Sequence, residues 1–429
     1  MKKKILLWSV ILILIGSVAA GVYWWPKPPQ VVVLADGTKL TLLAVTYGKH
    51  HAFPHGKKPV PFNQRPPAFN TQNNALVVWL RQEHPADHWP NYQLFLYDKA
   101  GTACVGDSGR RNGYGGGSNE IVGVEFDAFP RRQGKLILQV QEYVQNEGQV
   151  LNEKHFLISN PARGVTAANW TAEPLPSTKS EDDLSVTLTK LDAGVDGNFN
   201  RDQSHPDDAI NKGVEAVFQV KENGTNAANW LVTQIETTDA TGNRQTAGCN
   251  SHWDGDDEVV DYQFGLWPDE PAWKLRVEFS QQSGFSGDEL WTVKNIPLKP
   301  GNQQDFMDWN PNANRRIGAG FAETNLQDVH LKIYPARQFT NVPPNSQPAG
   351  GFYLEVKPPL PDGVQLAVVK VTDDQDNDLE NWNYGTMGRP GSTEYHYGLR
   401  ELDGVTNLNV TVAVHKNHFF EFTVKPQKQ

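Results

Sequence analysis

The sequence predicts an all-β protein, with three tandem antiparallel β-sandwich domains following one N-terminal hydrophobic helix. Three observations carry that prediction. First, the chain holds 37 Gly and 29 Pro in 429 residues, together with 13 Trp, 12 Tyr and 19 Phe. Turn formers mixed with aromatics suit half-buried pleated surfaces better than helical bundles. Second, the apolar runs are short, alternate with polar residues and end in turn residues, and amphipathic helical periodicity is nowhere sustained. Third, the same succession of runs returns at a spacing of roughly 130–140 residues, the period of a domain array.

Each copy opens with a strand, at 39–47, 184–189 and 329–334. A second run follows at 74–80, 214–220 and 351–357, and a third at 92–98, 230–235 and 364–371. The third runs lead into Asp/Gly/Asn turns at 98–101, 239–243 and 373–377. Next, 124–130 corresponds to 262–268 and to 395–399, and 135–140 corresponds to 274–279 and 407–412. The copies close with 156–161, 291–297 and 420–426. Domains are therefore expected at 36–162, 183–298 and 327–426, with linkers at 26–35, 163–182 and 299–326, where Pro, Asn, Gly and acidic residues gather.

Six or so strands in a domain of this size imply two antiparallel sheets packed face to face. In this succession of strands the chain resembles the immunoglobulin-like and fibronectin-like modules strung along bacterial envelope proteins. The resemblance covers most of the chain as architecture, and the immunoglobulin Cys…Trp…Cys pattern is absent. Cys104 and Cys249 occupy similar places in different copies, so two free thiols are expected rather than a bridge.

Ahead of the copies, Lys2, Lys3 and Lys4 precede an uncharged apolar run over 5–25. As a helix rising about 1.5 Å per residue, that run could cross a hydrocarbon core of about 30 Å. Trp24 and Trp25 would sit at the interface, with the lysines inside. A cleaved signal peptide, with the small residues Val18 and Ala20 before the cut, is the alternative. Either way the body is expected outside the cytoplasm, at the cell envelope as a single-pass protein or secreted. The formal charge is −10, and those three lysines are the only charges in the first 25 residues, so the remainder is more acidic still. Such a surface disfavours nucleic acid and anionic lipid as partners.

Few residues carry a chemical signature. Gly106-Asp107-Ser108-Gly109 has the letters found around a serine-protease nucleophile, but no stretch supplies the matching histidine surroundings, and it reads as a glycine-rich loop. The histidines at 84, 88, 50, 51, 55, 415 and 418 lack the paired spacing of a zinc site; His415 and His418 are read as flanking a hairpin turn. Asp196, Asn198, Asn200, Asp202 and Asp207 place oxygen ligands at alternate positions and at the end of a twelve-residue loop, as Ca²⁺ requires. Arg201 stands where the EF-hand turn needs Gly, and the last ligand is Asp rather than Glu. Asp374, Asp376, Asp378 and Glu380 form a second alternating acidic run at a turn.

The segment after the Asp turn differs most between copies, yet each version has aromatics beside amide, carboxylate or glycine: Tyr114, Trp253, and Trp382 with Tyr384. Read as loops, these suit stacking against sugar rings; the other reading is that they fold back as lids on the sandwich ends. The sequence thus points to a non-enzymatic extracytoplasmic scaffold anchored through residues 5–25, with envelope proteins or polysaccharide as partners. Carbohydrate binding through the aromatics is the alternative. A hydrolase with a site in one copy, around Asp256, Asp257 and Glu258, is the third.

Overall fold

The computed structural model describes residues 29–53, 68–85, 91–98, 110–114, 119–143, 150–162, 164, 166–196, 212–262, 266–303, 320–340 and 348–429. The N-terminal run over 5–25 lies outside them. The chain is all-β, built of antiparallel sheets, and among the described residues no helix is long and apolar enough to cross a membrane. The described residues up to Ala167 form one compact unit, and those from Ala168 onward form a second.

The first unit contains β1 (Val31–Val33), β2 (Lys39–Ala52), β3 (Ala68–Glu83), β4 (Tyr92–Tyr97), β5 (Arg110–Tyr114), β6 (Asn119–Phe126), β7 (Lys135–Tyr143) and β8 (Val150–Ser159). They form a sheet of order β1-β2-β3-β6-β5 and a smaller sheet of order β4-β7-β8. Alternation decides the faces. Leu76, Val78 and Leu80 of β3, with Val122, Val124 and Phe126 of β6, share one core with Leu94, Leu96, Leu136, Leu138, Phe156 and Ile158 of the smaller sheet. Two polar devices tie the unit together. The buried Glu142 carboxylate accepts the Ala35 and Asp36 amides at 2.8 and 3.2 Å, closing the β1–β2 turn over β7. The buried Asn160 amide group donates to the Pro130, Arg131 and Gln133 carbonyls.

The second unit begins with β9 (Ser177–Glu181), β10 (Leu184–Asp196), β11 (Lys212–Glu222), β12 (Thr225–Asn226), β13 (Trp230–Asp239), β14 (Arg244–Asp254), β15 (Asp257–Tyr262), β16 (Trp273–Gln281) and β17 (Leu290–Gly301). It continues with β18 (Ala322–Leu326), β19 (Val329–Ile333), β20 (Ala336–Phe339), β21 (Gly350–Lys357), β22 (Val364–Thr372), β23 (Asn381–Arg389), β24 (Ser392–Leu399), β25 (Asn407–Lys416), β26 (His418–Val424) and β27 (Gln427–Lys428). Strands β9-β10-β11-β15-β14 pair in the order seen for β1-β2-β3-β6-β5, and so do β18-β19-β21-β24-β23. Strand β14 serves two sheets, with 244–248 on β13 and 249–254 on β15.

The smaller sheets of this unit depart from the sequence-based boundaries. β16 pairs with β13 and with β26, the last long strand of the chain. β25 pairs with β22 and with β17, the strand that closes the second copy in sequence order. Positions 183–298 and 327–426 therefore do not delimit two self-contained sheets. The expected linkers also carry strands: β1 lies within 26–35, β9 within 163–182, and β18 within 299–326. His415 and His418 flank no hairpin; only Asn417 separates β25 from β26.

The Asp turns are built as repeats of one another. Asp239 Oδ1 accepts the Thr241 and Asn243 amides at 2.8 and 3.1 Å, and Asn243 Nδ2 donates to Asp239 Oδ2 at 2.7 Å. Asp373 Oδ1 accepts the Gln375 and Asn377 amides at 2.8 Å each, and Asn377 Nδ2 donates to Asp373 Oδ2 at 2.8 Å. The fourth residue of each turn has positive φ, Gly242 at 87° and Asp376 at 64°, a conformation that glycine adopts freely and Asp tolerates.

Candidate functional site

The aromatics expected on loops stand on strands. Tyr114 ends β5, Trp253 lies in β14, and Trp382 and Tyr384 lie in β23. Glycine and polar residues in these segments read as loop. However, β5 pairs along β6, 249–254 along β15 and β23 along β24, and the partner's ladder overrides a weak local preference. Trp253 is half-buried opposite Glu258, and its indole Nε1 is buried without a hydrogen-bond partner.

The richest chemistry lies on one face of the β19-β21-β24-β23 sheet. Alternation sends Phe352, Leu354 and Val356 of β21, with Tyr397 and Leu399 of β24, into the core. Tyr353, Glu355, Glu394 and His396 take the opposite face, which Trp382 shares by pairing with Gly398. Gly398 is needed there: a Cβ at that position would stand 2.9 Å from the Trp382 ring atoms. The Arg400 guanidinium lies over this indole, 5.8 Å from its centre, and binds Glu380 at 2.8 Å.

Beside Trp382, Tyr384 and Tyr334 pack against the buried Phe339 and Tyr353. The Tyr334 hydroxyl donates to Glu355 Oε2 at 2.8 Å, and Lys332 Nζ sits 5.5 Å from the Tyr334 ring centre. Burial, and then the bond to Glu355, pushes the Tyr334 phenol up from its ordinary value.

Behind this aromatic strip runs a charged relay. Arg389 Nη2 binds Glu394 Oε2 at 2.8 Å, and Glu394 Oε1 lies 3.0 Å from His396 Nε2. The His396 ring meets Tyr353 edge-on, with centroids 4.6 Å apart. Burial works to raise Glu394, but the His396 bond and the Arg389 charge outweigh it and hold the carboxyl below the usual carboxylate range. The Glu394 side chain is 4% exposed and that of His396 is 0% exposed, so both are committed to each other rather than presented outward. Sequence reasoning missed this relay. Its only trace is two ionisable residues at alternate positions of β24, and nothing in that spacing says that they are buried.

The second copy holds a different buried group. Glu258 Oε1 accepts the Val232 amide at 2.8 Å, at the bulge of β13. Burial pushes Glu258 up to about 7, with the Val232 bond opposing. Burial and the Glu258 charge push the Cys249 thiol up to about 12, which disfavours the thiolate. Cys249 is free. Of the hydrolase candidates, Glu258 is fully buried, Asp257 half-buried and Asp256 exposed.

The calcium candidates mostly fall outside the described residues. Asp196 ends β10, and Asn198, Asn200, Asp202 and Asp207 lie beyond the description, as do Cys104 and 106–109. Among the described residues no group of three or more His, Cys, Asp or Glu is placed to hold a metal ion. The second acidic run begins within the Asp373 turn, and its later members are engaged by cations, Asp378 with Lys370 at 3.2 Å and Glu380 with Arg400 at 2.8 Å. No protein family matches the chain, and no characterised protein or solved structure matches it either.

Proposed function

We propose that this chain is a non-enzymatic interaction scaffold that displays three immunoglobulin-like sandwiches outside the cytoplasm, tethered through residues 5–25. One observation carries the reading: the same strand order occurs three times. Setting aside the leading strands β1, β9 and β18, second-third-sixth-fifth against fourth-seventh-eighth is the ABED and CFG order of constant-type immunoglobulin domains. Such domains present strand faces and end loops as contact surfaces, and repeating them lengthens the reach from a membrane. The commitment of Glu394, His396 and Arg389 to one another supports a structural use of the best-formed polar cluster.

Two measurements test this. Expressed in a bacterium, the full chain should stay with membranes through alkaline extraction and be digested by protease added outside. Release as a soluble body would replace the anchor with a cleaved signal. Residues 29–429 should be retained by an envelope-protein fraction without hydrolysing glycosides, esters or peptides. Turnover lost in Glu394→Gln would overturn the non-enzymatic reading.

Carbohydrate binding is the second reading, and a specific observation supports it. Trp382, Tyr384 and Tyr334 are half-buried aromatics, and Lys332 and Glu355 bring hydrogen-bonding groups to Tyr334. Retention on insoluble polysaccharide that is lost in Trp382→Ala and Tyr384→Ala would move it to first place. No retention on any polysaccharide would remove it.

A further inference from the structure

In the first unit the smaller sheet closes with its own last strand, Lys135 opposite Ser159 and Leu138 opposite Phe156. On β16, at the matching positions, Lys274 faces Thr423 and Val277 faces Phe420 of β26. On β25, Leu408 faces Ile296 and Val410 faces Val293 of β17. The second and third copies have therefore exchanged their closing strands. The cores follow the exchange: Phe420 packs on Phe279 with centroids 5.7 Å apart, and Phe422 on Phe218 at 6.1 Å. Val293 and Ile296 are buried in the core that holds Leu408 and Val410.

We propose that β26 is a donor strand that completes the second copy in place of the third, making the second unit a single interlocked body. Displacing residues 417–429 then opens the second copy. The connection explains the exchange. Asn417 alone lies between β25 and β26, whereas the shortest common hairpin loop has two residues. β26 cannot turn back beside β25, so it runs on into the neighbouring sheet. Asn417 is fastened on both sides of the crossing: its amide donates to the Gly363 carbonyl at 2.7 Å, and its Nδ2 donates to Glu278 Oε1 at 2.6 Å. The end of the chain fastens the donor, with β27 running parallel to β10 and Gln429 Nε2 donating to Asp192 Oδ2 at 2.7 Å.

Arg276 and Glu421 face each other across the β16–β26 ladder, and both are exposed. With Cys104→Ser and Cys249→Ser as background, Arg276→Cys combined with Glu421→Cys should oxidise to a disulfide within one chain, seen as a monomer on a non-reducing gel that has lost both thiols to alkylation until it is reduced. A disulfide-linked dimer would show donation between chains, and no disulfide would show that β26 lies elsewhere; either result overturns the proposal. Independently, a chain ending at Lys416 should lose its near-ultraviolet circular dichroism from the second copy and regain it when the peptide 417–429 is added. An undiminished signal in the truncated chain would also overturn the proposal. A truncated chain that fails to accumulate leaves the disulfide experiment decisive.

Discussion

The first copy and the paired second and third copies use the same strand order, yet only the first closes on itself. Six residues, 144–149, are available between β7 and β8, while one separates β25 from β26. The comparison teaches that strand order was conserved by the pattern of edges to be filled, and that the length of one connection decided which segment fills them. Apolar complementarity permits the substitution, because Phe156, Phe420 and Ile296 each present an inward apolar side chain to the facing strand. Register within a sheet is specified by alternation, but the identity of the donor is not.

The largest expected effect breaks the two regions apart. Phe422 is fully buried in a sheet that its own copy does not supply. Phe422→Ala should cost about 3–5 kcal/mol, the range for emptying an aromatic core site. Hydrogen exchange should rise together in 212–281 and 350–416 while 92–159 keeps its protection. Phe156→Ala should cost a similar amount and show the reverse pattern. Loss of protection confined to 350–416 in Phe422→Ala would contradict the exchange.

The next effect is a pH dependence that Glu258 brings to the second unit. Glu258 is raised from 4.5 to about 7 in the folded state. Between these values the folded chain holds a proton that the unfolded chain has released, so stability falls as pH rises through that window and is fully present below it. The shift corresponds to about 3 kcal/mol at most. Denaturant midpoints measured from pH 4 to 8 should show the decline, and Glu258→Gln should flatten it.

A smaller effect compares the two Asp turns. Asp239 is 1% exposed and Asp373 is 9% exposed. Removing a buried acceptor of several bonds costs about 1–3 kcal/mol, so Asp239→Ala should sit near the top of that range and Asp373→Ala near the bottom in the same unfolding assay. At the small end, Lys274 and Glu421 form a 3.1 Å ion pair across the donor strand, with side chains 37% and 58% exposed. Lys274→Ala should change stability by less than about 1 kcal/mol, because exposed pairs gain little in water. A larger loss would mean that the charge, rather than the Phe420 and Phe422 contacts, holds the donor strand.

Much of the fold was legible in the residues alone. Alternating runs located most strands, and the Asp-to-Asn turns at 239–243 and 373–377 could be matched by eye, because both depend on neighbours a few residues apart. Of the candidate site, Trp382 and Tyr384 were found as aromatics beside polar groups, but their place on β23 was not, since only pairing with β24 makes that segment a strand. The Arg389–Glu394–His396 relay and the Glu258 bond to Val232 were not legible, because each joins side chains to positions brought together by the sheet.

The sequence by itself determined that the chain is β, where it turns, and that its strands come in a recurring order, since alternation and turn chemistry are local properties. Only the tertiary structure decided that 290–301 closes the third copy and 418–424 closes the second. An alternating strand declares that one of its faces is buried. Which edge it completes depends on the reach of its connection and on the edges left open by the rest of the fold.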